Sequence, residues 1–213
     1  MKNKLEIMLR MQDEMNTIVH PQWREQGWPW YRAAYMEASE IIEHIGWKWW
    51  KKQEPDVNQI KLELVDIFHF FLSEKLEEPW TIEELAQNLS FELDHIDTER
   101  QFTAPDYYVV EEFMRQTLKG LISESYFVNM CGKFNLSFNE LYKLYIGKNV
   151  LNRFRQANGY KEGAYQKIWN GKEDNEYLTL ILQDLDSDLE SFPDDVYTQL
   201  SNQYKLVHRG VQR

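Results

Sequence analysis

Two acidic pairs stand out along the chain, Glu37-Ala-Ser-Glu40 and Glu63-Leu-Val-Asp66. Residues three apart on a helix share a face, so each pair aims two carboxylates the same way. Only a polar turn (residues 51–58) separates the two stretches, and so short a connection makes antiparallel neighbours of two helices. Four carboxylates can then converge. The second pair sits within IKLELVDIFHFFLS, which is apolar on nearly every side and reads as a buried helix. A carboxylate in such surroundings is costly or becomes protonated, and clustered carboxylates repel. A divalent cation resolves both problems, and an all-oxygen ligand set suits magnesium, or else manganese. Acids three apart are common on solvated faces, so one pair alone carries little; the two pairs together carry the reading. A carboxylate-bridged di-iron bundle uses Glu-x-x-His, which these helices lack. His69 therefore reads as a hydrogen-bonded wall residue.

A second chemical segment inverts the charge of the chain. Residues 143–172 hold Lys143, Lys148, Arg153, Arg155, Lys161, Lys167 and Lys172 against a single acid, Glu162, in a protein of net charge −11. Lys148, Asn152 and Arg155 fall on one helix face, and two cations with an amide between them suit a polyphosphate and a sugar hydroxyl. Gly159, Gly163 and Gly171 allow close backbone approach. Asn175 lies at an expected helix start, where backbone N–H groups favour anions. Metal-holding acids plus a cationic face are what phosphoanhydride chemistry requires. The competing class is an acidic helical protein that binds a partner without catalysis.

The elements that must position these residues are helical. Helices are expected at 3–18, 30–45 (after Pro29, stopped by Gly46) and 59–77. A fourth opens on a Thr81/Glu84 capping box. Residues 93–106 read as a loop, followed by helices at 107–119 and 121–131 punctuated by Gly120 and Gly132. Ser137 and Glu140 suggest another capping box before a helix at 138–156. Residues 157–172 read as loop, with helices at about 174–186 and 193–206 closing the chain. No strand pattern of weight, repeat or low-complexity tract is present. The 213 residues suit one all-α domain, a helical bundle. Net acidity argues against nucleic-acid binding. No apolar run reaches the length of a membrane span, and the amphipathic N-terminus is no signal peptide, so the expectation is a cytoplasmic protein. The lone cysteine, Cys131, reads as a small apolar filler. The tryptophans at 23, 28, 30, 47, 49 and 50 read as core or subunit interface rather than a partner surface.

The blocks YMEASEIIEHIGWKWWK (35–51), ELVDIFHFFLS (63–73) and, most specifically, YIGKNVLNRFRQANGYKEGAYQKIWNGKEDNEYL (145–178) resemble the dimeric dUTPases of the all-α NTP pyrophosphohydrolases, a group that includes MazG-like enzymes and dCTPases. The resemblance spans 5–182 and is weakest at 79–119, a variable part of the family that can include a mobile segment. It implies magnesium-dependent hydrolysis of dUTP to dUMP and pyrophosphate, with dUDP as a further substrate, by a homodimer. It implies that Glu37, Glu40, Glu63 and Asp66 hold the metal, and that Glu40 also orients or deprotonates the attacking water. It gives Lys148, Arg155, Tyr160, Lys167 and Asn175 to the phosphates, Asn152 and Phe70 to the deoxyribose, and Gln12, Asn16 and Trp47 or Lys48 to the base. An amide pair reads uracil or, flipped, cytosine, so a dCTP/dUTP pyrophosphatase or another MazG-like activity is the alternative.

Overall fold

The computed structural model describes residues 1–208. Among these the protein is all-α apart from one tiny hairpin, and the chain divides into two compact units, Met1–Tyr145 and a second that begins at Ile146. Among the described residues, no helix is long and apolar enough to cross a membrane.

In the first unit, α1 (Lys2–Val19) buries Leu5, Met8, Leu9 and Met15 on one stripe and a 3-10 turn (Trp23–Glu25) follows. Then come α2 (Trp30–Ile45) and α3 (Val57–Lys75). Gly46 closes α2 in the left-handed conformation (φ 81°), where glycine has no steric penalty. The Asp56 carboxylate opens α3 by accepting the Gln59 backbone N–H at 3.2 Å. α3 is the central element: Ile60, Leu62, Leu64, Val65, Ile67, Phe68, Phe71 and Leu72 are all buried around its circumference. Phe68 stacks on Phe127 at 5.3 Å and meets Tyr145 edge-on at 5.8 Å, and Phe71 packs against both Phe68 and Phe127.

The helices α4 (Ile82–Leu93), α5 (Asp106–Thr117) and α6 (Glu124–Lys133) complete this unit with the start of α7 (Phe138–Ala157). α2 packs on α3 and α5, α1 on α3 and α4, and α6 on α4 and α5. The Thr81 capping box forms in both directions. The Ser137 box forms only in one: Ser137 Oγ accepts the Glu140 N–H at 3.3 Å, while the Glu140 carboxylate takes Lys61 Nζ at 2.8 and 2.9 Å. Gly132 does not punctuate as expected. It lies inside α6, where an added Cβ would come within 2.8 Å of the Asp97 carbonyl oxygen, so its role is close approach.

In the second unit the loop expected at 157–172 holds a hairpin, β1 (Ile168–Trp169) paired antiparallel with β2 (Lys172–Glu173). Its turn is Asn170-Gly171, both at positive φ (49° and 85°), the conformation that two-residue hairpins demand and that Asn-Gly supplies. That dipeptide is the signal the sequence reading passed over. The helices α8 (Asp174–Gln183) and α9 (Phe192–His208) follow and pack together. Trp169, fully buried, is ringed by Phe154, Tyr165, Tyr177 and Tyr204.

Candidate active site

α2 and α3 run antiparallel, as four contacts between the two segments establish. His44 Nε2 lies 3.6 Å from Glu63 Oε1, the Asp56 N–H donates to the His44 carbonyl, and at the far end Trp30 stacks on Phe70 and donates to Glu77. Glu37 thereby meets the middle of α3. Its carboxylate and those of Glu63 and Asp66 offer oxygens that all lie within 4.8 Å of one another. Glu63 is only 9% exposed. Three hard anionic ligands this close, one nearly out of water, fit a divalent cation of the magnesium type. Glu40, on the same face of α2, is solvent-exposed and outside this trio.

Gln12 and Asn16 also come together, on the buried stripe of α1. Gln12 Nε2 donates to Asn16 Oδ1 and to Ser73 Oγ, each at 3.0 Å, and Asn16 Nδ2 donates to the same hydroxyl at 3.0 Å. Gln12 Oε1 accepts from Tyr145 Oη at 2.8 Å and from His69 Nδ1 at 2.7 Å. His69 is thus a hydrogen-bonded wall residue, stacked 4.2 Å from the Tyr145 ring. Ser73 and Tyr145 were missed in the sequence. Ser73 left a trace, as a polar residue one turn after His69 in an otherwise apolar run.

Trp47 and Lys48 have different partners. Trp47 Nε1 donates to Glu43 at 2.9 Å, and Lys48 Nζ bonds the other oxygen of that carboxylate. Those two bonds, that from Lys48 first, hold the Glu43 carboxyl below its ordinary range. Trp47 also lines a hollow of about 540 Å³ with Tyr35, Ile42, Met114 and Leu118. The tryptophans divide: Trp23 and Trp30 are core, while Trp49 and Trp50 are exposed.

The second unit carries the cationic residues. Lys148, 3% exposed, donates to Asn175 Oδ1 at 3.4 Å. Arg155 donates from Nη1 to Asn152 Oδ1 at 3.1 Å and makes a two-pronged ion pair with Asp174, which sequence reasoning overlooked. Tyr160 is exposed, with Lys167 Nζ 5.5 Å from its ring centre.

A family model described as dUTPase matches residues 4–160. The chain belongs to the dUTPase family. It is therefore a dUTP-hydrolysing enzyme, a dUTP diphosphatase, and its all-α architecture agrees with that membership. The match covers Gln12, Asn16, Glu37, Glu40, Glu63 and Asp66 and, in the second unit, Lys148, Asn152, Arg155 and Tyr160, but stops short of Lys167, Asp174 and Asn175. Among curated proteins, none matches the chain. Divalent-metal chemistry is expected of this dUTPase, and the Glu37–Glu63–Asp66 group is its candidate seat.

Proposed function

We propose that this dUTPase hydrolyses dUTP to dUMP and pyrophosphate with magnesium held by Glu37, Glu63 and Asp66, and with Glu40 completing the set. The observation that carries the reading is the trio of carboxylates, one of them only 9% exposed, on two adjacent helices. When bound, the cation supplies charge neutralisation to the phosphates and lowers the pKa of a coordinated water. Glu40, exposed beside the trio, accepts the proton of the attacking water. Lys148, Arg155, Tyr160, Lys167 and Asn175 bind and orient the phosphate chain. Asn152 and Phe70 bracket the deoxyribose, and Gln12 and Asn16 read the base, enclosed by Trp47 or Lys48. The protein acts as a homodimer, as its resemblance to the dimeric dUTPases implies.

The Gln12–Asn16 amides are held by Ser73, His69 and Tyr145, which favours one amide orientation and so one pyrimidine. The test is pyrophosphate release from dUTP, dCTP, dTTP and dATP with magnesium, manganese or chelator. Fastest turnover of dUTP, abolished by chelator, is expected. Turnover of dATP above dUTP, or full activity without metal, would refute the reading.

A further inference from the structure

Arg155 is not a loose cation. The carboxylate of Asp174, 0% exposed as a residue, receives Nε at 2.8 Å and Nη2 at 2.7 Å. The same carboxylate accepts the Tyr165 hydroxyl at 2.8 Å. Burial first, and the Asp174 charge second, push the Tyr165 phenol up, so this hydroxyl stays a donor throughout the working pH range. Its ring is fixed in turn: it stacks on Tyr204 of α9 at 5.6 Å and 17° and meets Phe154 and Trp169 edge-on. At the end of the guanidinium, Nη1 reaches Asn152, and Nη2, which also bonds Asp174, lies 3.5 Å from Asn175 Oδ1, the atom that receives Lys148 Nζ.

A buried ion pair is weak as a source of stability, because desolvation offsets much of the attraction. A carboxylate on a phosphate-binding arginine also reduces the net charge offered to an anion. Such an arrangement makes physical sense as orientation. The planar fork is engaged from one edge by two parallel bonds, which fixes both its plane and the direction of its remaining edge.

We propose that Asp174 and Tyr165 are positioning residues for the phosphate chain: they hold the Arg155 guanidinium so that its Nη edge, with Asn152, Lys148 and Asn175, is a preformed polyphosphate seat. This rests on the reading of Arg155 as a phosphate ligand. Both act through Arg155, and both lie beyond the segment that the family match covers.

The test compares binding of a non-hydrolysable dUTP analogue with binding of deoxyuridine, which has no phosphate, in Arg155→Met, Tyr165→Phe, Asp174→Asn and the Arg155→Met/Tyr165→Phe pair. Tyr165→Phe keeps the ring stacking and removes one hydrogen bond, so analogue affinity should fall about fivefold, with deoxyuridine affinity unchanged. Asp174→Asn should fall further. In the Arg155→Met background, Tyr165→Phe should add no loss, since the two act through one group. An additive loss, or an equal loss for deoxyuridine, overturns the proposal in favour of a purely structural role. If Arg155→Met weakens the analogue while Tyr165→Phe binds like wild type, the proposal fails by itself. If Arg155→Met binds the analogue normally, the reading of Arg155 fails instead, and the proposal with it. Should Asp174→Asn fail to fold, the Tyr165→Phe comparison decides alone.

Discussion

The side-chain nitrogen of Gln12 donates to the hydroxyl of Ser73 at 3.0 Å, across from α1 to α3. That hydroxyl accepts from Asn16 as well and donates to the His69 carbonyl at 2.9 Å, so one buried oxygen sets both amides. Ser73→Ala removes the hydroxyl acceptor of Asn16 Nδ2 and one of the two acceptors of Gln12 Nε2, loosening Asn16 while His69 and Tyr145 still hold Gln12 Oε1. We expect kcat/KM for dUTP to fall about tenfold, the scale of one or two buried hydrogen bonds, and dCTP to fall less. Parallel pyrophosphate assays on the two substrates check this; an unchanged dUTP-to-dCTP ratio would show that Ser73 does not set base choice.

Glu40→Gln removes a base while keeping size. Turnover should fall by at least about 100-fold with the far-ultraviolet circular dichroism unchanged. Glu63→Gln or Asp66→Asn should instead abolish the rise in melting temperature that magnesium produces in the wild type, because a cation bound only by the folded state stabilises it. Calorimetric titration with manganese gives an independent reading, and retained affinity in both variants would remove these acids from the metal site.

Glu74, near the end of α3, has its carboxyl pushed up by burial, against the opposing effect of the Ile122 N–H it accepts at 3.1 Å and of Lys75; Glu77 and Glu78 add to the rise. An acid whose folded pKa exceeds its unfolded value binds more protons when folded, so its contribution is favourable below the ordinary glutamate range and is lost as pH rises through the raised folded value. Glu74→Gln keeps an acceptor for Ile122 and removes the titration. Its melting temperature should exceed the wild type at pH 8, and the gap should narrow as pH falls towards 4. A gap independent of pH would assign the effect to packing.

Gly132→Ala should destabilise the first unit by about 1–3 kcal/mol, the usual range for forcing a group into a packed site. The obstructing atom is the Asp97 carbonyl oxygen, which cannot swing aside as a side chain would. Urea unfolding measures the loss. Wild-type stability would mean that the 94–105 connection yields without cost.

The trio was legible in the sequence because helical spacing and the short polar turn place Glu37, Glu63 and Asp66 without knowledge of any distant contact. Gln12 and Asn16 were picked out by the resemblance to the dimeric dUTPases and not by spacing, although they share one helix face. Spacing did not reveal which hydrogen bonds those amides make, since Ser73 and Tyr145 come from helices far away in the chain. Asp174 was hidden for a similar reason: beside Asn175 at a helix start it reads as an ordinary first-turn acid, and only folding brings Arg155 onto it. Gly132 misled because a glycine near a helix end is read as a stop, whereas here it makes room for a passing carbonyl. The hairpin was missed because strands of two residues give no alternation to detect, though its Asn170-Gly171 turn was in view.

The antiparallel α2–α3 pair, joined at Gly46, has a kinetic consequence. Its acids come from adjacent segments of chain, so closing the loop that joins them costs little entropy, and contacts of this local kind form early during folding. A nascent chain could therefore bring its three clustered acids together well before the last helices are synthesised, so that their mutual repulsion is met early in the folding search.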